Sequence, residues 1–473
     1  MSRDTSAGAR ALWGRTAVVL SGVVLIAAAC GSDNSSSGTA ATTAAASSAT
    51  TAAASATTAA ATATTAAASA ATAASGATTT APSGGSKTVT DYAAYVGGSG
   101  PANASLKPVK IGFINQEGGP VVVGPTNDNG VDIAAKFINE QAGGIGGHPV
   151  QVVKCFIAST EEEGQQCGQQ MANDKDIVGV LEGPVVVGAE SMFAALGDKP
   201  VVSGVSVNAV DTVQKSAAVL YGGAQYILAP YGTFARDTLK AKSAALIYPE
   251  GAGTDIPAAG QASAFKAAGI PIKVVSYPAN AGDLTVPLLA AGAQTADVVM
   301  PVINPNDCVK FEQAIRQLNI PDEKVLASPI CLTPTTIQGL GDFPKWIYAI
   351  ASSQTFDTTD PGVPPYQKIL KDQGQDKLIG DPWVNVGFGQ MLTLAKWLNA
   401  AGTDTSPAAI NKQMLSFAGP LALGSPVIKC GKYPEAQGVC NDHTQFYKWN
   451  GNGSPMTKAG DWVGPPEGWV APS

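Results

Sequence analysis

Residues Val109–Val153 decide the fold: VKIGFINQEGGPVVVGPTNDNGVDIAAKFINEQAGGIGGHPVQVV. They read as strand, loop, helix, tight turn and strand. Val109–Asn115 alternates and carries Val, Ile and Phe, the pattern of a strand buried in a sheet. The loop Gln116–Asp128 holds three Gly and two Pro and continues neither element. From Gly130 the apolar residues Val131, Ala135 and Ile138 recur at helical spacing. Ala142-Gly143-Gly144 ends the helix, because glycine accepts the left-handed conformation at a helix carboxyl end. Ile145–Pro149 then turns the chain into a strand over Val150–Phe156. The unit is βαβ, with parallel strands and a right-handed crossover.

Beyond Val153 the alternation repeats. Strands are expected at Asp176–Leu181, Pro200–Ser203 and Ala217–Tyr221, with helices at Ala189–Leu196 and near Tyr226–Ala241. A second series runs from the strand Ser243–Tyr248 through the helix Ile256–Ala268 to the strand Trp346–Ala351. Helices are expected again at Trp383–Ala401 and Pro407–Phe417. Strands alternating twice over with helices define an α/β chain with two doubly wound sheets.

Ile138-Asn139, the run Ala142-Gly143-Gly144-Ile145-Gly146-Gly147 and Val150 carry a family resemblance. The chain resembles type I periplasmic solute-binding proteins, the branched-chain-amino-acid-binding kind that serves ABC importers, over about Val109–Phe356. The resemblance implies two Rossmann-like lobes joined by a three-crossing hinge. Lobe 1 would be residues 107–225 plus 355–420, and lobe 2 residues 226–354 plus 421–473. It also implies a binding protein rather than an enzyme, acting as a monomer without cofactor, with a small-molecule ligand and a transporter permease as partners. A ligand-sensing receptor module of the same fold and a wall-associated enzyme are the competing readings.

The amino-terminal region supports export. Arg3, Arg10 and Arg15 precede the apolar run Thr16–Ala29, which is short of the ~20 residues a membrane span needs. Ala27-Ala28-Ala29-Cys30 resembles a lipobox, which implies lipidation of Cys30 and a membrane anchor; an ordinary signal peptide cut after the alanines is the alternative. Residues 31–106 are read as a tether. Its Ala/Thr/Ser-rich part, Asn34–Ser86, carries no charge and too little apolar surface to fold. The formal charge of -7 shows no basic stripe, which makes nucleic acid a poor partner.

Seven cysteines less Cys30 leave six, an even set suited to an oxidising compartment. Six allow ~15 pairings; chain order suggests Cys155–Cys167, Cys308–Cys331 and Cys430–Cys440. No CxxC or neighbouring histidine favours a metal site.

One local repetition points to a site. Glu117-Gly118-Gly119-Pro120-Val121-Val122-Val123-Gly124 is nearly repeated as Glu182-Gly183-Pro184-Val185-Val186-Val187-Gly188. In a 2-1-3-4-5 sheet the two loops flank the switch point, where ligands bind at the carboxyl ends of strands. The competing explanation is that the valines are core. The first loop also mimics a phosphate-binding loop, but Pro125 stands in the lysine position. No G-x-S-x-G elbow and no H-E-x-x-H motif occurs, and only His148 and His443 are present, so nothing points to catalysis.

The candidate ligand residues of lobe 1 are Gln116, Glu117, Val122, Pro184, Val185, Val186, Ser203, Ser206 and Val207. Those of lobe 2 are Tyr248, Glu250, Ala252, Asn304 and Ile330. In amino-acid-binding relatives, first-lobe hydroxyls hold the ligand's charged end and a second-lobe acid meets its ammonium. Ser203 and Ser206 match the hydroxyl loop, but Pro184 or Val185 replaces a serine and Ile330 replaces the acid. The crevice is therefore expected to take an amino-acid-like or less polar ligand, with Glu117, Glu182 or Glu250 available to an amine.

Overall fold

The structure, a computed structural model, describes residues 88–118, 123–206, 208–251, 254–451 and 455–472. Its first sheet contains β1 (Val109–Gln116), β2 (Val150–Ile157), β3 (Ile177–Glu182), β4 (Val201–Ser203) and β5 (Ala217–Val219). All five are parallel, in the order β2-β1-β3-β4-β5. The helices of this half are α1 (Tyr92–Val96), α2 (Gly124–Gln141), α3 (Glu161–Asn173), α4 (Ala189–Leu196) and α5 (Ala209–Val213).

The second half begins with α6 (Ala224–Leu228) and α7 (Pro230–Asp237). Then β6 (Ala244–Pro249), α8 (Asp255–Ala267), β7 (Ile272–Tyr277), α9 (Thr285–Ala291) and β8 (Val298–Pro301) alternate. They are followed by α10 (Cys308–Gln317), β9 (Leu326–Ala327), α11 (Pro334–Leu340) and β10 (Ile347–Ile350). The strands form β7-β6-β8, and β9 and β10 continue in a group closed by β13 (Thr444–Lys448) and β14 (Thr457–Val463). A parallel bridge from Val299 to Val325 links the two groups. Between β10 and β13 the chain returns to the first half as α12 (Val363–Asp372), α13 (Pro382–Ala401), α14 (Pro407–Leu415) and the short pair β11 (Ala418–Gly419) and β12 (Ile428–Lys429).

Strand alternation sorts the first core onto two faces. Ile111, Phe113, Leu181 and Val202 pack under α2 and α13, while Ile114, Val180 and Val201 pack under α3 and α4. Helices α2 and α13 approach closely through glycine. A Cβ on Gly130 would lie 2.1 Å from the Val384 carbonyl, and one on Gly387 would lie 2.2 Å from that of Asn127. Helix α3 starts where Thr160 and Glu163 form a capping box, and Asp381 caps α13 by accepting from the Trp383 and Val384 amides.

The two sheets are joined by three chain passages: after β5, after β10 and before β13. The first and second are tied to the first half. Tyr221 N donates to the Gly204 carbonyl, and Ser353 N donates to that of Leu423. The disulfides are Cys155–Cys167, Cys308–Cys331 and Cys430–Cys440.

Three expectations are corrected. Helix α2 starts at Gly124, not Gly130, because Pro125 occupies its first turn, where a missing N–H costs nothing. The tether does not extend to residue 106. Val89, Tyr92, Tyr95 and Val96 are buried in the first core, and Tyr92 Oη donates to the Gly362 carbonyl at 2.7 Å. Residues 421–440 do not belong wholly to lobe 2. Leu421, Leu423, Ile428, Cys430 and Cys440 lie in the first core, and Val439 bridges Val219 of β5. Cys30 and the segment before residue 88 fall outside the described residues.

Candidate functional site

In both sheets the loops at the strand carboxyl ends line the face where a doubly wound fold binds ligand. The two repeated loops begin side by side, since β1 pairs β3 with Ile114 opposite Glu182. Their polar residues mostly turn inward. Gln116 is fully buried, and its Oε1 accepts from the amides of Val186 (2.8 Å) and Val187 (3.2 Å). Its Nε2 donates to the Ala158 carbonyl. The Gln116 amide thus braces three strand ends and is not free for a ligand. Ser203 is fully buried, and Ser206, nearly so, donates to the Asn208 carbonyl at 2.7 Å. Two expected ligand hydroxyls therefore belong to the lobe interior.

Glu182 is 1% exposed. Burial pushes its pKa well up and the charge of Asp211 adds to this, against the Ser203 hydroxyl, which lowers it. Buried on the α3–α4 side of β3, Glu182 is closed off from a ligand amine in the crevice. Pro184 is buried, and Val185 packs in the core with Ile114 and Phe193. The valine run therefore splits, since Val186 alone is exposed, at 47%. Val122, Val207 and Ala252 fall outside the described residues.

Glu117 remains half-buried beside the loop. Burial raises its pKa, Asp128 adds to this, and the Asn115 side chain, donating to Oε1 at 3.1 Å, lowers it. In the second half Tyr248 is half-buried against the core, and Glu250 is exposed with Oε1 accepting from Ser276 Oγ at 3.0 Å. Asn304 is half-buried and its carbonyl accepts from Asp307 N. Ile330 is 38% exposed, one residue before disulfide-bonded Cys331.

Sequence reading missed the residues that position these loops. Asn208 Nδ2 donates to the Val185 carbonyl at 2.6 Å. Gln390 Nε2, from α13, donates to the carbonyls of Glu182 and Val202 at 2.6 and 2.8 Å. Gln390 is one of three amide side chains on a largely apolar helix, with Asn385 and Asn399, and nothing in the sequence sets it apart from them. Among the described residues no cluster of three or more His, Cys, Asp or Glu side chains is arranged to hold a metal ion, and no helix is long and apolar enough to cross a membrane.

Two doubly wound α/β halves, joined by three passages and presenting loops from both, define the class of hinged two-lobe binding folds. The chain belongs to the periplasmic binding protein family, whose model matches residues 108–433. No curated protein matches the chain. Solved structures share its fold. A leucine binding protein from Thermotoga maritima MSB8 is 17% identical, with a TM-score of 0.58 over 76% of this chain and 99% of that one. A fatty acid ABC transporter substrate-binding protein from Thermomonospora curvata is 14% identical, with a TM-score of 0.56 over 79% and 97%. A solute binding protein of an ABC transporter from R. palustris, in complex with 4-hydroxybenzoate, is 13% identical, with a TM-score of 0.59 over 77% and 99%.

Proposed function

We propose that this protein captures a small organic solute between its lobes outside the cytoplasmic membrane and hands it to an ABC importer. The observation that carries this reading is the pairing of two loop sets, one per lobe, across a three-passage hinge in a chain of this family. Closure would follow if the ligand contacts both lobes, since a ligand shifts such an equilibrium only by its differential affinity for the closed form. This reading needs no enzymatic step. The relatives are named for leucine, a fatty acid and 4-hydroxybenzoate, so the fold alone leaves the ligand to be set by the crevice residues. Lipidation of Cys30, with residues 31–87 as spacer, would hold the protein at the outer face of the membrane as a monomer.

Native mass spectrometry of the intact protein, followed by thermal shift against a broad metabolite library, tests the reading. A ligand that binds only the folded form raises the Tm by mass action. One chemical class giving a concentration-dependent shift is the expected result. No bound species and no shift across the library would overturn it.

A further inference from the structure

We propose that the captured solute carries a positive charge on an apolar body, and that Glu117 and Glu250 receive that charge from opposite lobes. The inference rests on the solute-binding reading above. In each half the first strand runs into a Glu-Gly pair: β1 into Glu117-Gly118 and β6 into Glu250-Gly251. The backbone repeats the match. Glu117 N donates to the carbonyl of Ile157, the last residue of β2, at 2.9 Å, and Glu250 N donates to that of Tyr277, the last residue of β7, at 2.8 Å. Since β2 pairs β1 and β7 pairs β6, the two acids occupy the same position in the two lobes.

Both carboxylates are oriented without being neutralised. Each accepts from an uncharged donor, Asn115 Nδ2 or Ser276 Oγ, and among the described residues neither lies within salt-bridge distance of a Lys or Arg. Lys154, whose charge reaches Glu117, is bonded to Asp128 at 2.7 Å and Asp132 at 2.8 Å. In the sequence, the loops that follow β1 to β10 contain no Lys, Arg or His. Helix amino ends supply only about half a positive charge each, and several already face an acid. Gly188 N, at the start of α4, donates to Glu161 Oε1 at 2.9 Å, and Asp255 sits in the first turn of α8.

Two of these loops expose large apolar side chains, Val186 at 47% and Ile330 at 38%, and the helices that follow β6 and β9 add Ile256 at 55% in α8 and Ile337 at 42% in α11. Ser203 and Ser206, the hydroxyls that would suit an anion, are buried. Lobe closure brings two like charges towards one another. A bound ammonium relieves that repulsion, so its charge contributes more in the closed form than in the open one.

The test uses the intact protein with n-hexylamine, hexanoate and hexanamide in thermal-shift and calorimetric titrations, alongside the metabolite library. The amine is expected to raise the Tm and to bind at least tenfold more tightly than the acid or the amide. Glu117→Gln and Glu250→Gln are each expected to weaken amine binding by tenfold or more, with circular dichroism and the ligand-free Tm confirming that the variants fold. A preference for hexanoate or hexanamide, a neutral or anionic library ligand, or undiminished amine binding in the double variant would overturn the charge assignment and leave the solute-binding reading standing. Failure of every compound would overturn that reading itself.

Discussion

In the first lobe, amide side chains (Gln116, Asn208 and Gln390) hold the crevice loops through hydrogen bonds to backbone groups, whereas in the second lobe a disulfide includes a crevice loop directly. Cys308 at the start of α10 is bonded to Cys331 in the loop after β9, next to exposed Ile330. The second lobe's side-chain bonds include Thr254 Oγ1 to the Pro249 carbonyl and Tyr277 Oη to Asp307, both buried, and the exposed bond from Ser276 Oγ to Glu250. Polar residues at a binding face can thus be scaffold rather than ligand groups. In lobe 1 most of them are scaffold, and the exposed groups of both lobes remain to meet a solute.

The contrast predicts unequal responses to mutation. The largest effect is expected from Gln116→Leu, which leaves the partly buried amides of Val186 and Val187 without their acceptor and the Ala158 carbonyl without its donor. At ~1–3 kcal/mol for each orphaned group, unfolding stability should fall by about 4 kcal/mol in a denaturant titration. A loss under 1 kcal/mol would mean that the brace is unimportant. Replacing both Cys308 and Cys331 by Ala opens a link spanning 23 residues and should cost about 3 kcal/mol. Hydrogen exchange should localise the loosening to 304–333; loosening centred on 183–188 instead would break the contrast between the lobes.

Glu182 gives a pH-dependent test. Its folded pKa is raised, so the unfolded chain releases this proton at a lower pH than the folded one. The contribution is fully present below the unfolded value and is lost as pH rises towards the folded value. Above about pH 5, wild-type stability should therefore fall by about 1.4 kcal/mol per pH unit relative to Glu182→Gln, until the folded group ionises. Parallel pH profiles for the two proteins would show that Glu182 is not held neutral. The smallest effect is expected from Ser206→Ala, about 1 kcal/mol of stability from the lost bond to the Asn208 carbonyl. Solute affinity should be unchanged; a tenfold weakening would return Ser206 to the ligand.

The order of the first sheet and the three disulfides were legible because they depend on element sequence and chain proximity. The βαβ unit at Val109–Val153 matched to within a residue at its strands, since alternation and glycine stops are local signals. The site was less legible. A run of three valines does not announce which one faces outward, and Val185 and Val186 divide only because β3 ends at Glu182 and α4 begins at Ala189. Gln116 and Ser206 look like ligand groups in sequence, because the backbone partners that occupy them come from elsewhere in the fold or from the turn itself. The return of residues 421–440 to the first lobe was hidden for the same reason. Leu421 and Ile428 are simply apolar until their neighbours are known.

The docking of Tyr92 and Tyr95 has a mechanical consequence. Tyr95 Oη is hydrogen-bonded to Thr393 Oγ1, Lys396 Nζ donates to the Tyr95 carbonyl, and Tyr92 reaches Gly362, so the segment is moored along α13 and the turn before α12. Tension applied to the chain ahead of Thr88 is therefore borne by lobe 1 and leaves the hinge unloaded. Whatever precedes Thr88, its point of attachment to the described fold is lobe 1.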